Sequence, residues 1–194
     1  EQQAGATLRP PRRNGTHTRK LGQHLSLASF NTGGRLAGPG KLGALLDLLT
    51  ESRVDLACLQ ETKGLGILPA EIEANGWTAV THGDVMTLIK TGSKTALMWD
   101  STKDWKGSLP DGTPMNALGV TLDTSEGPFL IINAYIPTGV DSMDPKNRDV
   151  IDEIHSTIAD KLHPYRLSAL LMDANETTCK KGRALYRPNT DGTI

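Results

Sequence analysis

Aromatic side chains are scarce in this chain of 194 residues, at 4%. That scarcity excludes a broad platform for stacking the bases of a single strand. Cysteine is scarcer still: Cys58 and Cys179 stand far apart, with no CxxC pattern and no histidine at metal-ligand spacing. A disulfide framework is thereby excluded, and a reducing, intracellular compartment is the default expectation. Cys58 falls inside an apolar run and is expected to pack as a small hydrophobe. No apolar stretch approaches the roughly 18 residues that a membrane span needs, so no membrane partner is expected. Residues 1–24 hold no apolar core of a signal peptide, and the first residue is Glu, which reads as a processed, trimmed or partial polypeptide. No internal repeat occurs at a period in the solenoid range.

What is present fits a globular domain. Hydrophobic content is 37% and charge 22%, over a length that suits one domain with a sizeable core. The net charge of -1 hides an asymmetry. Residues 1–20 carry Arg9, Arg12, Arg13, Arg19 and Lys20 against Glu1, a net +4, while the other 174 residues carry 16 basic and 21 acidic groups, a net −5. Residues 1–22 therefore read as a basic flexible arm and residues 23–194 as the domain. Such an arm suits contact with nucleic acid or another polyanion, and it is equally what an ordinary disordered tail looks like.

Along the domain, apolar periodicity sets out strands and helices in alternation. Residues 25–30 alternate apolar and small polar side chains and end in Asn31-Thr32-Gly33-Gly34, a turn. Leu42, Leu45, Leu46 and Leu49 recur at helical spacing over 41–52, and the apolar run at 54–59 follows as a buried strand. Strand, helix and strand within about 35 residues make the βαβ pattern of a buried sheet faced by helices. A short helix is expected over 69–75, closed by Gly76, then strands over 77–82, 85–90 and 95–99. The Gly- and Pro-rich stretch 104–114 reads as a loop, and 117–122 with 129–134 as a hairpin. A second helix over 146–162 presents Val150, Ile151, Ile154, Ile158 and Leu162, and 167–172 is a last apolar strand.

Several strands end on a polar side chain. Phe30 gives way to Asn31, Leu59 to Gln60-Glu61, Ala134 to Tyr135, and Met172 to Asp173 with Asn175. Each alone could simply open a solvated loop, Glu61 included. If the strands are neighbours, their ends gather carboxylates, carboxamides and a phenol at the rim of a sheet, where α/β folds place their sites. An oxygen-rich set without thiols or clustered imidazoles suits Mg²⁺ or Mn²⁺ rather than zinc, and Mg²⁺ with few carboxylates points to phosphoester chemistry.

Asn31 after a strand, Leu59-Gln60-Glu61-Thr62, Asn133-Ala134-Tyr135-Ile136-Pro137 and Asp173-Ala174-Asn175 together resemble the endonuclease/exonuclease/phosphatase superfamily. Their order and spacing are most similar to the apurinic-endonuclease-type domain of non-LTR retrotransposons. Gly-Ser-Lys-Thr-Ala-Leu-Met at 92–98 is similar to that family's central Gly-rich strand start. The resemblance runs from about Leu25 to the end of the chain. It implies an α/β fold in four layers, a two-sheet β-sandwich flanked by helices, truncated at its C-terminal end. It also implies a Mg²⁺- or Mn²⁺-dependent phosphodiesterase that nicks DNA, with RNA as the other nucleic-acid partner. By resemblance, Glu61 holds the metal with Asn31 beside it as a metal-shell or phosphate contact. Tyr135 hydrogen-bonds the scissile phosphate, Asp173 orients or deprotonates the attacking water, and Asn175 steadies the phosphate oxygens.

The chain departs from the family at two places. Met172-Asp173-Ala174-Asn175 stands where the family writes Gly-Asp-Phe-Asn, and the family's C-terminal Ser-Asp-His motif has no counterpart. His155, beside an apolar helix face, and His163, before Pro164, read as structural or solvated. Three readings follow: a longer polypeptide, a protein partner that completes the C-terminal part of the sheet, or a catalytically inactive domain used as a structural subunit in a larger protein or RNA–protein assembly.

Overall fold

A computed structural model describes residues 25–36, 38, 40–63, 69–91, 98–124, 126–137 and 145–175. The basic arm at 1–22, the Gly-rich stretch at 92–97 and Cys179 lie outside the described residues.

Two βαβ units build the domain. The first runs β1 (Leu27–Asn31), α1 (Lys41–Glu51), β2 (Leu56–Gln60), and β1 lies parallel to β2. After α2 (Pro69–Ala74), the hairpin β3 (Trp77–His82) and β4 (Val85–Lys90) completes a four-stranded sheet in the order β1-β2-β4-β3. The second sheet holds β5 (Met98–Trp99), β6 (Trp105–Ser108), β7 (Pro114–Thr124) and β8 (Gly127–Tyr135). Its last strand, β9 (Leu167–Asp173), follows α3 (Pro145–Leu162) and lies parallel to β8. Strand order is β5-β7-β8-β9, with β6 also paired to β7.

Period-2 alternation explains why the sheets stack. Leu56 and Cys58 of β2 meet Val120, Leu122 and Ile131 of the other sheet, while Ala57 and Leu59 turn outward to α1. Leu42, Leu45, Leu46 and Leu49 of α1 are all buried there, each leucine worth about 1.5–3 kcal/mol of apolar burial. Ile158 of α3 packs likewise on Leu130, Ile132 and Ala134, the outward face of β8. The result is four layers, helix on sheet on sheet on helix, the two-sheet sandwich flanked by helices that the resemblance implies.

Three expectations need correction. The stretch 104–114 is not all loop: Trp105–Ser108 pairs with β7. Gly107 there permits close approach rather than a turn, since an added Cβ would stand 2.9 Å from the Ala117 Cβ. The second strand starts at Leu56, two residues late, because Arg53 is left-handed at φ 56 and Val54 still bonds back to the Leu49 carbonyl at 2.9 Å. Val150 does not join the buried face of α3; it is 42% exposed, while Ile151 and Ile158 are buried.

Candidate active site

Both parallel pairs, β1–β2 and β8–β9, end at the same end of the sandwich, as the contact between Asn31 and Asp173 shows. The alternation that puts Leu27 and Ser29, Ile131 and Asn133, or Ala169 and Leu171 on the inner faces carries Asn31, Tyr135 and Asp173 onto the same faces at the strand ends. Glu61 follows β2 directly, and its backbone is left-handed at φ 53. That conformation is costly for a side chain bearing a Cβ. Neighbouring groups hold it: the Glu61 carbonyl accepts from Thr32 Oγ1 at 2.8 Å and from the Gly34 N–H at 2.8 Å. On the other side, the Thr62 N–H donates to the Asp84 carbonyl at 3.0 Å.

The Asn31 carboxamide is the centre of the cluster. Its Nδ2 donates to Glu61 Oε1 at 3.0 Å and also to Asp173 Oδ2, joining carboxylates from the two sheets. Its Oδ1 accepts the Gly33 N–H at 2.7 Å, which fixes which way the amide faces. Glu61 Oε2 lies 3.6 Å from Lys63 Nζ, and the Glu61 side chain is 13% exposed. The Asn31 hydrogen bond, then that of Tyr135 and the Lys63 charge, hold the Glu61 carboxyl below its ordinary value against partial desolvation. Glu61 is therefore ionised at neutral pH. Asp173 Oδ1 accepts the Asn175 N–H at 3.1 Å. Asn175 is left-handed at φ 46, and its Nδ2 donates to the Ile136 carbonyl at 3.0 Å.

The structure thus brings Asn31, Glu61, Tyr135 and Asp173 together, and ties Asn175 in through its backbone while its amide nitrogen engages a main-chain carbonyl. Lys63 is a cation at the site to which the sequence alone gives no role. His155 lies half-buried on α3 and His163 is exposed just beyond it. Beside Asn31, a cavity of about 520 Å³ runs between β1 and α1, with Phe30, Leu45 and Leu48 in its walls and Arg35 and Lys41 at its lining.

Among the described residues, no group of three or more His, Cys, Asp or Glu is placed to hold a metal ion. The donors that do converge are hard oxygens with two carboxylates, the set with which Mg²⁺ is held through one or two carboxylates and otherwise by water and phosphate. The residues present fit that ion. They do not fit a zinc site, which would draw on thiolate or imidazole.

No family model matches the sequence, and no curated protein does. Solved structures do match. A 3' phosphatase from Neisseria, NExo, bound to a product DNA hairpin, aligns with a TM-score of 0.56 at 17% identity, over 81% of this chain and 60% of its own. Truncated TDP2 from Caenorhabditis elegans aligns at 0.56 and 14% identity, over 78% and 62%. Humanized TDP2 from D. rerio aligns at 0.51 and 15%, over 78% and 62%. The chain therefore spans about three-fifths of the length of these structures. They are members of the endonuclease/exonuclease/phosphatase superfamily, and the described part of this chain has that superfamily's fold.

Proposed function

We propose that this domain is a divalent-metal-dependent phosphodiesterase that nicks DNA, of the apurinic-endonuclease-like retrotransposon type. One observation carries the reading: the Asn31 amide holds Glu61 from one sheet and Asp173 from the other at the shared end of the sandwich. Glu61 would hold Mg²⁺ or Mn²⁺, with Asn31 orienting the carboxylate, and the ion would neutralise charge building on the phosphate oxygens. Asp173 aims a water at phosphorus and takes its proton. The new P–O bond forms as the bond to the leaving oxygen breaks, and that oxygen is protonated from solvent. Tyr135 offers its hydroxyl to a phosphate oxygen, and Lys63 adds positive charge at the same place. The flanking nucleic acid runs past Arg35 and Lys41 in the cavity beside Asn31, as neutralised phosphates require. The nucleic-acid reading is supported by the DNA hairpin bound to NExo.

Nicking of supercoiled plasmid by the full chain tests this. Mg²⁺-dependent nicking that falls by about 10²–10⁴-fold in Asp173→Asn is expected. Nicking that survives EDTA, or is undiminished in Asp173→Asn, overturns it.

A second reading is favoured by the edge of the other sheet. Among the described residues β9 is an edge strand, and its Leu170 is 41% exposed. A protein partner adding a strand there would make the domain a structural subunit, catalytically inactive, in a larger protein or RNA–protein assembly. A stoichiometric complex in the purified material with no nicking would favour this reading, and an active monomer would exclude it.

A further inference from the structure

The site exists only while two sheets keep one relative placement, because Asn31 and Glu61 belong to one and Tyr135 and Asp173 to the other. The apolar layer between them, with Leu56, Cys58 and Ile89 facing Val120, Leu122 and Ile131, is non-directional and does not by itself select a placement. A directional contact crosses the same gap. Asn133 on β8 is fully buried, and its side-chain hydrogen bonds reach into the other sheet. Its Oδ1 accepts from Gln60 Nε2 at 2.8 Å, and its Nδ2 donates to the Met86 carbonyl at 2.8 Å and the Leu59 carbonyl at 3.2 Å. Gln60, 1% exposed, also donates to Ser29 Oγ at 3.2 Å, which ties β1 into the bridge. Gln60 immediately precedes Glu61, and Asn133 stands two residues before Tyr135.

We propose that Gln60 and Asn133 are positioning residues that lock the register of the two sheets and so bring the halves of the candidate active site together. A buried amide pair is a poor way to add stability, since apolar side chains of similar volume in its place can be neutral or stabilising. Its directional bonds are what apolar packing lacks. This bridge therefore exists for placement, at the point in each sheet nearest the site. The inference rests on the catalytic reading above for its activity readout alone.

The test is the double variant Gln60→Leu/Asn133→Leu in the full chain, with three readings. Urea unfolding is expected at an unchanged or higher midpoint. Plasmid nicking is expected to fall about 10²-fold, as for a displacement of about 1 Å at a reacting centre, in kcat rather than KM. The ¹H–¹⁵N signals of the Asn31 carboxamide, which spans both carboxylates, are expected to leave their wild-type positions. A double variant that folds, nicks as the wild type and keeps the Asn31 signals overturns the proposal. Should it fail to fold, Asn133→Ala removes the Asn133 bonds to Gln60, Leu59 and Met86 that cross the gap; wild-type Asn31 signals in that variant overturn the proposal equally. A wild-type protein that never nicks refutes the catalytic reading and leaves the Asn31 readout to decide this one.

Discussion

Replacing Gly83 by alanine tests how the β3–β4 turn supports the site. Gly83 is left-handed at φ +55, and an added Cβ there collides with the Asn116 carboxamide from the other sheet. The backbone term alone costs about 1–2 kcal/mol for a residue with a Cβ. The collision adds a second term, because Asn116 Oδ1 accepts the Asp84 N–H at 2.9 Å and must swing away. Loss of that bond costs about 0.5–1.5 kcal/mol. Gly83→Ala should therefore destabilise by about 1.5–3.5 kcal/mol, read from urea unfolding. In an Asn116→Ala background only the backbone term remains, so the same change should cost about 1–2 kcal/mol, a coupling near 1 kcal/mol. The Asp84 carbonyl holds the Thr62 N–H beside Glu61, so nicking should fall in Gly83→Ala as well. Equal costs of Gly83→Ala in the two backgrounds would refute the argument, because the turn and Asn116 would then be energetically independent.

Three further outcomes follow from burial and charge. Leu46→Ala, at a site 1% exposed, should cost about 2–5 kcal/mol, while Leu48→Ala on the same helix, 56% exposed, should stay within about 0.5 kcal/mol; thermal unfolding of both checks this. Burial pushes the Cys58 thiol up to about 12, partly offset by a hydrogen bond with Thr87. Cys58 should therefore resist a thiol reagent at about pH 8 in the native protein and react on unfolding, as mass spectrometry would show. Glu61 titrates below its ordinary 4.5, chiefly through the Asn31 hydrogen bond. Its contribution to stability is then present above the unfolded value and lost as pH falls through the folded one. Urea unfolding at about pH 7 and about pH 3 should show a larger acid loss in the wild type than in Glu61→Gln.

Much of this fold was legible in the chain because local rules agreed. Trp77–His82 and Val85–Lys90 lie where two short runs joined by the Gly-containing turn Gly83-Asp84 put them, and α1 follows four leucines at helical spacing. β6 was not legible, since Gly107, needed where the strand crosses Ala117, looks locally like a turn residue. The site was legible as residue types at strand ends and not as contacts. Asn31 and Asp173 are 142 residues apart, and their pairing is made by the stacking of two sheets. Asn133 is a carboxamide directly after the apolar run Leu130-Ile131-Ile132, in register with the inward Ile131. That signal was available, but its partner Gln60 looked equally like the start of a solvated loop. The role of Lys63 depends on the left-handed turn at Glu61, which no local pattern announces.

The most direct test of the account is cleavage of a supercoiled plasmid by wild type and Glu61→Gln, each titrated with Mg²⁺. Glu61→Gln keeps the volume and removes only the charge that two sheets converge to hold. Nicking should rise with Mg²⁺ in the wild type and be lost in the variant at every concentration. Equal nicking by both proteins would contradict it.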